Sequence, residues 1–469
     1  MKDREFREWS RRAADWGADY RASLRERPVR PRIEPGTVFQ SLESAPPERA
    51  ESMEAIFADF EQKIVPGMTH WQHPRFFAYF PANAAPVSVV AEYLVSAMAA
   101  QCMLWQTSPA ATELETRMVD WMRQALGLAE GFSGVIQDSA SSATLAAILT
   151  MREKALGWQG NGHGLAMRPQ VRVYASDQVH TSIDRAIWVS GIGEQNLVRV
   201  PTVGHSRAMA AEALEAAINA DRTAGMLPAG VVASVGGTSV GGTDDIVAIA
   251  QVAKRHGLYL HVDAAWAGSA MICPEFRHYW NGIDDADSIV FNPHKWLGAQ
   301  FDCSIHFLRD PDSHVRTLAI RPDYLKTHGR DGIVNYSEWS VPLGRRFRAL
   351  KLWFLLRAHG LENLRRMIRN HVNWSENLAE QLRAEPDFEI VTEPMLSLFT
   401  FRHTPAAGQD ADAHNLALVN AINDDGRLYL TQTRVDGRVA IRFQVGSFET
   451  TEADVKLAYQ VITEIARSL

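Results

Sequence analysis

Lys295 follows the apolar run DSIVFN (287–292) and is flanked by Pro293-His294 and Trp296. Most lysines are solvated surface residues. An amine held at the end of an apolar strand has a second use, because a neutral nitrogen there can condense with a carbonyl to form a Schiff base. Asp263 ends another run, in HVDAAWAGSA (261–270), 32 positions earlier. A carboxylate so placed commonly caps a helix or closes a turn. It can also hold a basic ring nitrogen protonated. His180, in DQVHTS (177–182), comes shortly after VRVYA. Alone it reads as a core histidine satisfied by backbone, but its ring could stack on a planar ligand. QDSASSATLAA (137–147) opens a helix with Ala140 and Ser141 at its start, offering hydroxyls and N–H groups to a phosphate.

A Schiff-base lysine, a ring-nitrogen carboxylate and a phosphate cradle are together what pyridoxal phosphate needs. The elements that must position them are legible. VRVYA (171–175), LVRVP (197–201), GVVASV (230–235), LYLHVD (258–263), DSIVFN (287–292) and CSIHFL (303–308) read as strands. DDIVAIAQVAKRHG (244–257) is a helix with an acidic start and a glycine stop. This alternation predicts an α/β fold with a mainly parallel sheet, whose ligands sit beyond the C-terminal strand ends.

The texture divides the chain into three segments. Residues 1–85 are helical, with Phe6, Trp9, Ala13, Trp16 and Tyr20 on one face and Met53, Ile56, Phe57, Phe60 and Ile64 on another, separated by the Pro-rich linker at 27–36. Such stripes need a partner surface on another domain or subunit. Residues 86–349 form the ligand-binding large domain. Residues 350–469 begin with the helix ALKLWFLLRAHG (349–360) and continue as a smaller α+β domain, where Asp436-Gly437 marks a hairpin.

Composition removes other classes. A chain of 469 residues spans roughly three domain-lengths at about 150 residues each. Hydrophobic residues at 46% and charged residues at 22% exclude disorder. A net charge of −7 argues against a nucleic-acid partner. The start MKDREFREWSRR lacks the apolar stretch of a secretory signal, and the most apolar stretch, 86–102, carries Glu92 and Gln101, so no membrane span is expected. Cys102, Cys273 and Cys303 are widely spaced. They offer neither a CxxC metal pair nor a disulfide framework, and a reduced, cytoplasmic setting fits them best.

The segments HWQHPRFFAYFP (70–81), TSPAATELETRMVDWM (107–122), SDQVHTS (176–182), LHVDAAWAGSAMICPEFRH (260–278), FNPHKWLGAQFDCS (291–304) and VPLGRRFRALKLWF (341–354) make the chain resemble the pyridoxal-phosphate-dependent group II decarboxylases, aromatic-L-amino-acid decarboxylase type. The resemblance covers essentially the whole chain. It implies a fold type I, aspartate aminotransferase-like large domain and a carboxy-lyase activity on an amino acid. It also implies a homodimer with the site at the subunit interface, the N-terminal stripes clamping the partner.

Residue by residue, Lys295 resembles the Schiff-base lysine, Asp263 the ring-nitrogen partner and Ala265 the small residue beneath the ring. His180 resembles the stacked imidazole. Asn292, His294, Ala140 and Ser141 resemble phosphate-side contacts, and Thr238 a threonine near the ring. Tyr324, in RPDYLKTHGRDG, resembles the loop tyrosine that returns a proton to Cα. Trp71, Tyr79, Phe80, Pro81, Ala82, Met103 and Gly344 are the implied substrate contacts, Met103 from the partner. Their aromatic content suits an aromatic side chain.

Departures refine the expectation. Ala82 stands where catechol-handling relatives carry threonine, Met103 replaces an aromatic residue, and Gly344 leaves room where phenol-selective relatives often carry serine. Together they lean towards tryptophan or another bulky aromatic and away from DOPA. Asp138 sits where many relatives have glycine, and Ser337 where some place a basic residue. Aromatic aldehyde synthases share the fold, but there the loop tyrosine is typically phenylalanine or the histidine is altered. This chain keeps Tyr324 and His180. An acidic-substrate decarboxylase would call for extra cationic residues, which Tyr79-Phe80-Pro81 does not supply. A non-catalytic binding protein is disfavoured by the retained lysine, aspartate, histidine and tyrosine. GIGEQN (191–196) lacks the third glycine of a dinucleotide loop.

Overall fold

The computed structural model describes residues 1–320 and 333–469. Tyr324 lies outside the described residues. The chain forms two compact units. The smaller takes residues 1–81, 374–391 and 400–469, and the larger takes 82–373 and 392–399.

In the smaller unit the two N-terminal stripes meet each other. Helix α1 (Asp3–Ala22) and helix α2 (Met53–Asp59) bring Trp9 within 5.5 Å of Phe57, and Trp16 lies within 4.9 Å of Phe60, in the helical turn Phe60–Ile64 that continues α2, centroid to centroid. Arg12 pairs with Glu54 across them at 2.6 Å. Phe6 and Ile56 remain exposed at the edges of these stripes.

The larger unit is built on a seven-stranded sheet: β1 (Ser133–Gln137), β2 (Val171–Ser176), β3 (Leu197–Val200), β4 (Leu227–Ser234), β5 (Tyr259–Asp263), β6 (Ser288–Phe291) and β7 (Ser304–Leu308), in the order β1-β7-β6-β5-β4-β2-β3. The pairs from β3 through β6 are parallel, and β7 runs antiparallel to both β6 and β1. Strands β4 to β7 are buried almost throughout, which explains their continuous apolar runs. Helix α3 (Pro86–Met98) opens this unit. Helix α4 (Ala140–Ala155) comes after β1 and packs on the sheet. Helix α5 (Ile246–His256) is capped by Asp245, whose carboxylate accepts the Ala248 N–H, and stopped by Gly257 in the left-handed region.

The helix expected over 349–360 extends over Arg348–Ala384, broken at Gly360, whose φ of 67° and ψ of 160° no helix contains. The remaining sheet has the strands β8 (Phe388–Met395), β9 (Leu398–His403), β10 (Thr431–Val435) and β11 (Arg438–Gln444), in the order β8-β9-β11-β10. Asp436 and Gly437 both take positive φ between β10 and β11, as a type I′ hairpin requires. Among the described residues no helix is long and apolar enough to cross a membrane.

Candidate active site

Three parallel strands end together at a cavity of about 240 Å³ in the larger unit. All nine residues expected to contact a cofactor line it: Ala140, Ser141, His180, Thr238, Asp263, Ala265, Asn292, His294 and Lys295. The reason is topological. Register places Ser234 of β4 opposite Asp263 of β5, and Asp263 opposite Val290 of β6, so the turns leaving these strands emerge on one rim. The Ala265 carbonyl accepts the Asn292 N–H at 2.8 Å and ties two of these turns together.

Asp263 is buried. Its Oδ1 accepts the Ala265 N–H at 3.0 Å, and Oδ2 has no protein donor among the described residues. Lys295 lies in the helical turn Pro293–Leu297 immediately after β6. The Asn83 side-chain amide donates to the Lys295 carbonyl, fixing that turn. His294 is buried and its Nδ1 accepts the Cys303 N–H at 2.8 Å. Burial, with Lys295 adding to it, pushes the His294 pKa down to about 3, so the ring is neutral. Asn292 accepts the Ser304 hydroxyl at 2.5 Å.

His180 stands at the rim. Its Nδ1 accepts the Ser182 N–H at 3.1 Å, which leaves the proton on Nε2. Desolvation lowers its pKa, Asp263 opposes that shift and Lys295 reinforces it. Both charges therefore reach the imidazole, and the three side chains act on one space. Ser139 caps α4 by accepting the Ser142 N–H at 3.2 Å, turning the positive end of that helix towards the cavity.

Ser139, Ser182, Ser234, Gly236, Gly237 and Trp266 also line the cavity, although sequence reasoning did not single them out. One signal was available, the Gly236-Gly237 pair just after the GVVASV run. Gly236 has φ +78°, and a Cβ there would lie 2.6 Å from the Ala267 Cβ and 2.8 Å from Trp266 Nε1. The Trp266 indole donates to the Gly236 carbonyl at 2.7 Å. Asp244 was missed as well. It is buried and accepts the Met209 and Ser234 N–H groups at 2.6 and 2.7 Å, fixing the end of β4. Burial raises its pKa to about 6.

The expected substrate contacts do not line this cavity. Trp71, Tyr79, Phe80 and Pro81 belong to the smaller unit. There Trp71 stacks on Tyr79 at 5.9 Å and touches Phe76 at 4.5 Å, with Tyr429 closing the cluster. Trp71 and Tyr79 keep exposed ring surface, and the Arg442 guanidinium lies 5.2 Å from the centre of the Phe80 ring. Ala82, Met103 and Gly344 belong to the larger unit. The Met103 carbonyl accepts the Ser337 N–H at 3.0 Å.

Residues 35–404 match the family model described as the pyridoxal-dependent decarboxylase conserved domain. The chain belongs to the pyridoxal-dependent decarboxylases. It is 36% identical to tryptophan decarboxylase 2 of Oryza sativa subsp. japonica, over 99% of this chain and 95% of that one. It is 37% identical to phenylacetaldehyde synthase of Arabidopsis thaliana, over 100% of this chain and 97% of that one. A crystal structure of Oryza sativa TDC with PLP and tryptamine superposes with a TM-score of 0.96 at 34% identity, covering 100% of this chain and 99% of that one. This decarboxylase is therefore a carboxy-lyase that uses pyridoxal phosphate.

The lining fits that cofactor by its chemistry. A primary amine suits the aldehyde, a carboxylate with one uncommitted oxygen suits a protonated ring nitrogen, and hydroxyls with N–H groups at a helix start suit a phosphate. Ala265 adds little bulk beside them.

Proposed function

We propose that the protein decarboxylates an aromatic L-amino acid to the corresponding arylalkylamine and CO2, with tryptophan or another bulky aromatic favoured over DOPA. The observation that carries this is the convergence of Lys295, Asp263 and His180 on one cavity at the strand ends. Bound pyridoxal phosphate supplies an electron sink for the pair left on Cα when CO2 departs. Lys295 would hold the cofactor through its amine, the group that the substrate amine would replace. Asp263 keeps the ring nitrogen protonated. His180, with its proton on Nε2, covers the ring face and orders the proton return to Cα, for which Tyr324 is the assigned donor. Ala140, Ser141, Asn292 and His294 hold the phosphate, and Thr238 sits by the ring.

Aromatic recognition is assigned to Trp71, Tyr79, Phe80 and Pro81, with Ala82, Met103 and Gly344 setting the size and polarity accepted. The names of the relatives support an aromatic substrate, and the missing hydroxyl at Ala82 supports the lean away from catechols. We also read the protein as a homodimer. Val89, Val90, Tyr93, Leu94 and Met98 expose one apolar face of α3, while Ala91 and Val95 on the other face are buried. A second copy is the occupant that would cover such a face. Its three thiols are free and buried, which supports a reducing, cytoplasmic setting.

The test is a panel of tryptophan, phenylalanine, tyrosine, DOPA, histidine and glutamate, scored for CO2 and amine beside the Lys295→Ala variant. CO2 and amine in equal yield from the aromatic members, abolished in the variant, is the expected result. Borohydride trapping should place the cofactor on the Lys295 peptide. Aldehyde, ammonia and hydrogen peroxide formed at the expense of O2 would make the protein an aldehyde synthase instead. A clear DOPA preference would overturn the substrate lean.

A further inference from the structure

Asp138 immediately precedes Ser139, the cap of α4, and is half-buried. The Ser139 hydroxyl donates to Asp138 Oδ1 at 3.2 Å. No cation bonds this carboxylate among the described residues. Its charge reaches His294, which lines the cavity, and Arg348. Neither cancels it. Arg348 is committed to Asp302, Nε to Oδ1 at 2.8 Å and Nη2 to Oδ2 at 3.4 Å. His294 is neutral. The nearby Lys351 is bound to Glu92 at 3.1 Å and to Gln300 at 2.8 Å. A carboxylate with no bonded cation among the described residues thus stands next to the helix start that the phosphate would use, with Lys295 the cation that shares the cavity.

A helix N-terminus stabilises one nearby anion, and a second anion at the same place is repelled. We propose that Asp138 sets the cofactor affinity by competing with the phosphate for the positive end of α4. Without cofactor it stabilises the helix start. With cofactor bound it opposes the phosphate, so the protein exchanges cofactor more readily than its contacts alone would give. The inference rests on reading the α4 start as the phosphate end of the site.

The experiment titrates apoprotein with pyridoxal phosphate and, separately, with pyridoxal, which keeps the aldehyde and ring but lacks the phosphate. Bound cofactor is followed by its visible absorbance. For Asp138→Asn the Kd for pyridoxal phosphate should fall about five- to tenfold at low salt, and the ratio to wild type should shrink at high salt. The Kd for pyridoxal should not move. The melting temperature of the variant apoprotein should drop by a few degrees, and inorganic phosphate should raise it more than it raises that of wild type. Asp138→Gly repeats the comparison and serves if the amide variant does not fold. Equal changes for both aldehydes would assign Asp138 a purely structural role and overturn the proposal, as would unchanged or weaker binding of pyridoxal phosphate. A wild-type protein that binds neither aldehyde at Lys295 would defeat the reading of the site itself.

Discussion

His306 and His314 meet edge to face inside the larger unit, their ring centroids 5.3 Å apart and their planes at 81°. His261 also packs on His306, at 5.8 Å and 87°. All three are fully buried. Neither ring nitrogen of His306 has a hydrogen-bond partner among the described residues. His261 is held by Ser288 at 2.7 Å, and His314 donates to the Trp339 carbonyl at 3.0 Å.

This row makes the fold acid-sensitive. Burial lowers the pKa of His261 and His314 to about 4 and holds that of His306 well below its ordinary 6.5. Above pH 6.5 both the folded and the unfolded chain keep these rings neutral. Below it the unfolded chain takes up protons that the fold refuses, so stability is lost as pH falls from about 6.5 towards 4, by up to about 1.4 kcal/mol per pH unit for each ring. His306→Leu should flatten that slope by roughly one proton. Urea unfolding at pH 7, 6 and 5 measures it, and an unchanged slope would show that the row does not govern acid stability.

Gly236 predicts a sharper failure. Its positive φ and the Trp266 indole leave no room for a methyl group. Gly236→Ala should cost about 1–3 kcal/mol and displace Trp266 from the cavity wall. Cofactor content of the purified variant should fall along with its melting temperature. Retention of full cofactor would mean that this turn adapts without moving the site.

Strands β4 to β7 were legible because burial on both faces leaves continuous apolar runs, and β2 and β3 because they keep β-branched residues in alternation. Strand β1 was not. Its sequence SGVIQ is diluted at the ends, and Gly134 is there because a Cβ would lie 2.5 Å from the His306 carbonyl. An edge strand chosen for close approach looks like a loop in sequence. At the site, Lys295, Asp263 and His180 were legible only as a set, a lysine, a carboxylate and an imidazole each following a strand run, together with the family resemblance; singly each reads as an ordinary residue. Ser182 and Trp266 were not, since ordinary packing calls for the same residue types. The helix expected over 349–360 is interrupted at Gly360 and then resumes to Ala384, a continuation that local sequence does not encode.

The edge strand is secured by a buried ion pair. Arg345 meets Glu115 with Nη2 to Oε1 at 2.6 Å and Nη1 to Oε2 at 3.1 Å, both side chains almost inaccessible. The same groups bind β1, the Ile136 N–H donating to Glu115 at 2.9 Å and Arg345 donating to the Ile136 carbonyl at 2.8 Å. Removing one partner strands a buried charge. Glu115→Ala should therefore cost about 3–5 kcal/mol, while the double replacement Glu115→Leu with Arg345→Leu should cost much less than the two single changes added together. A double-mutant cycle by chemical denaturation checks this, and additivity would deny the coupling.

His180 offers a direct reading of the site's electrostatics. Desolvation lowers its pKa, Lys295 lowers it further as a nearby cation, and Asp263 raises it as a nearby anion. The signs are separable by substitution. In cofactor-free protein, Lys295→Met removes a repelling positive charge, so the His180 pKa should rise. Asp263→Asn removes an attracting negative charge, so it should fall. Titration of the His180 ring by NMR measures both without reference to turnover. Opposite shifts in the two variants would show that all three side chains share one field, as a lysine, an aspartate and an imidazole serving one cofactor must. Shifts of the same sign, or none, would mean that the imidazole faces elsewhere and that its assignment to the ring face is wrong.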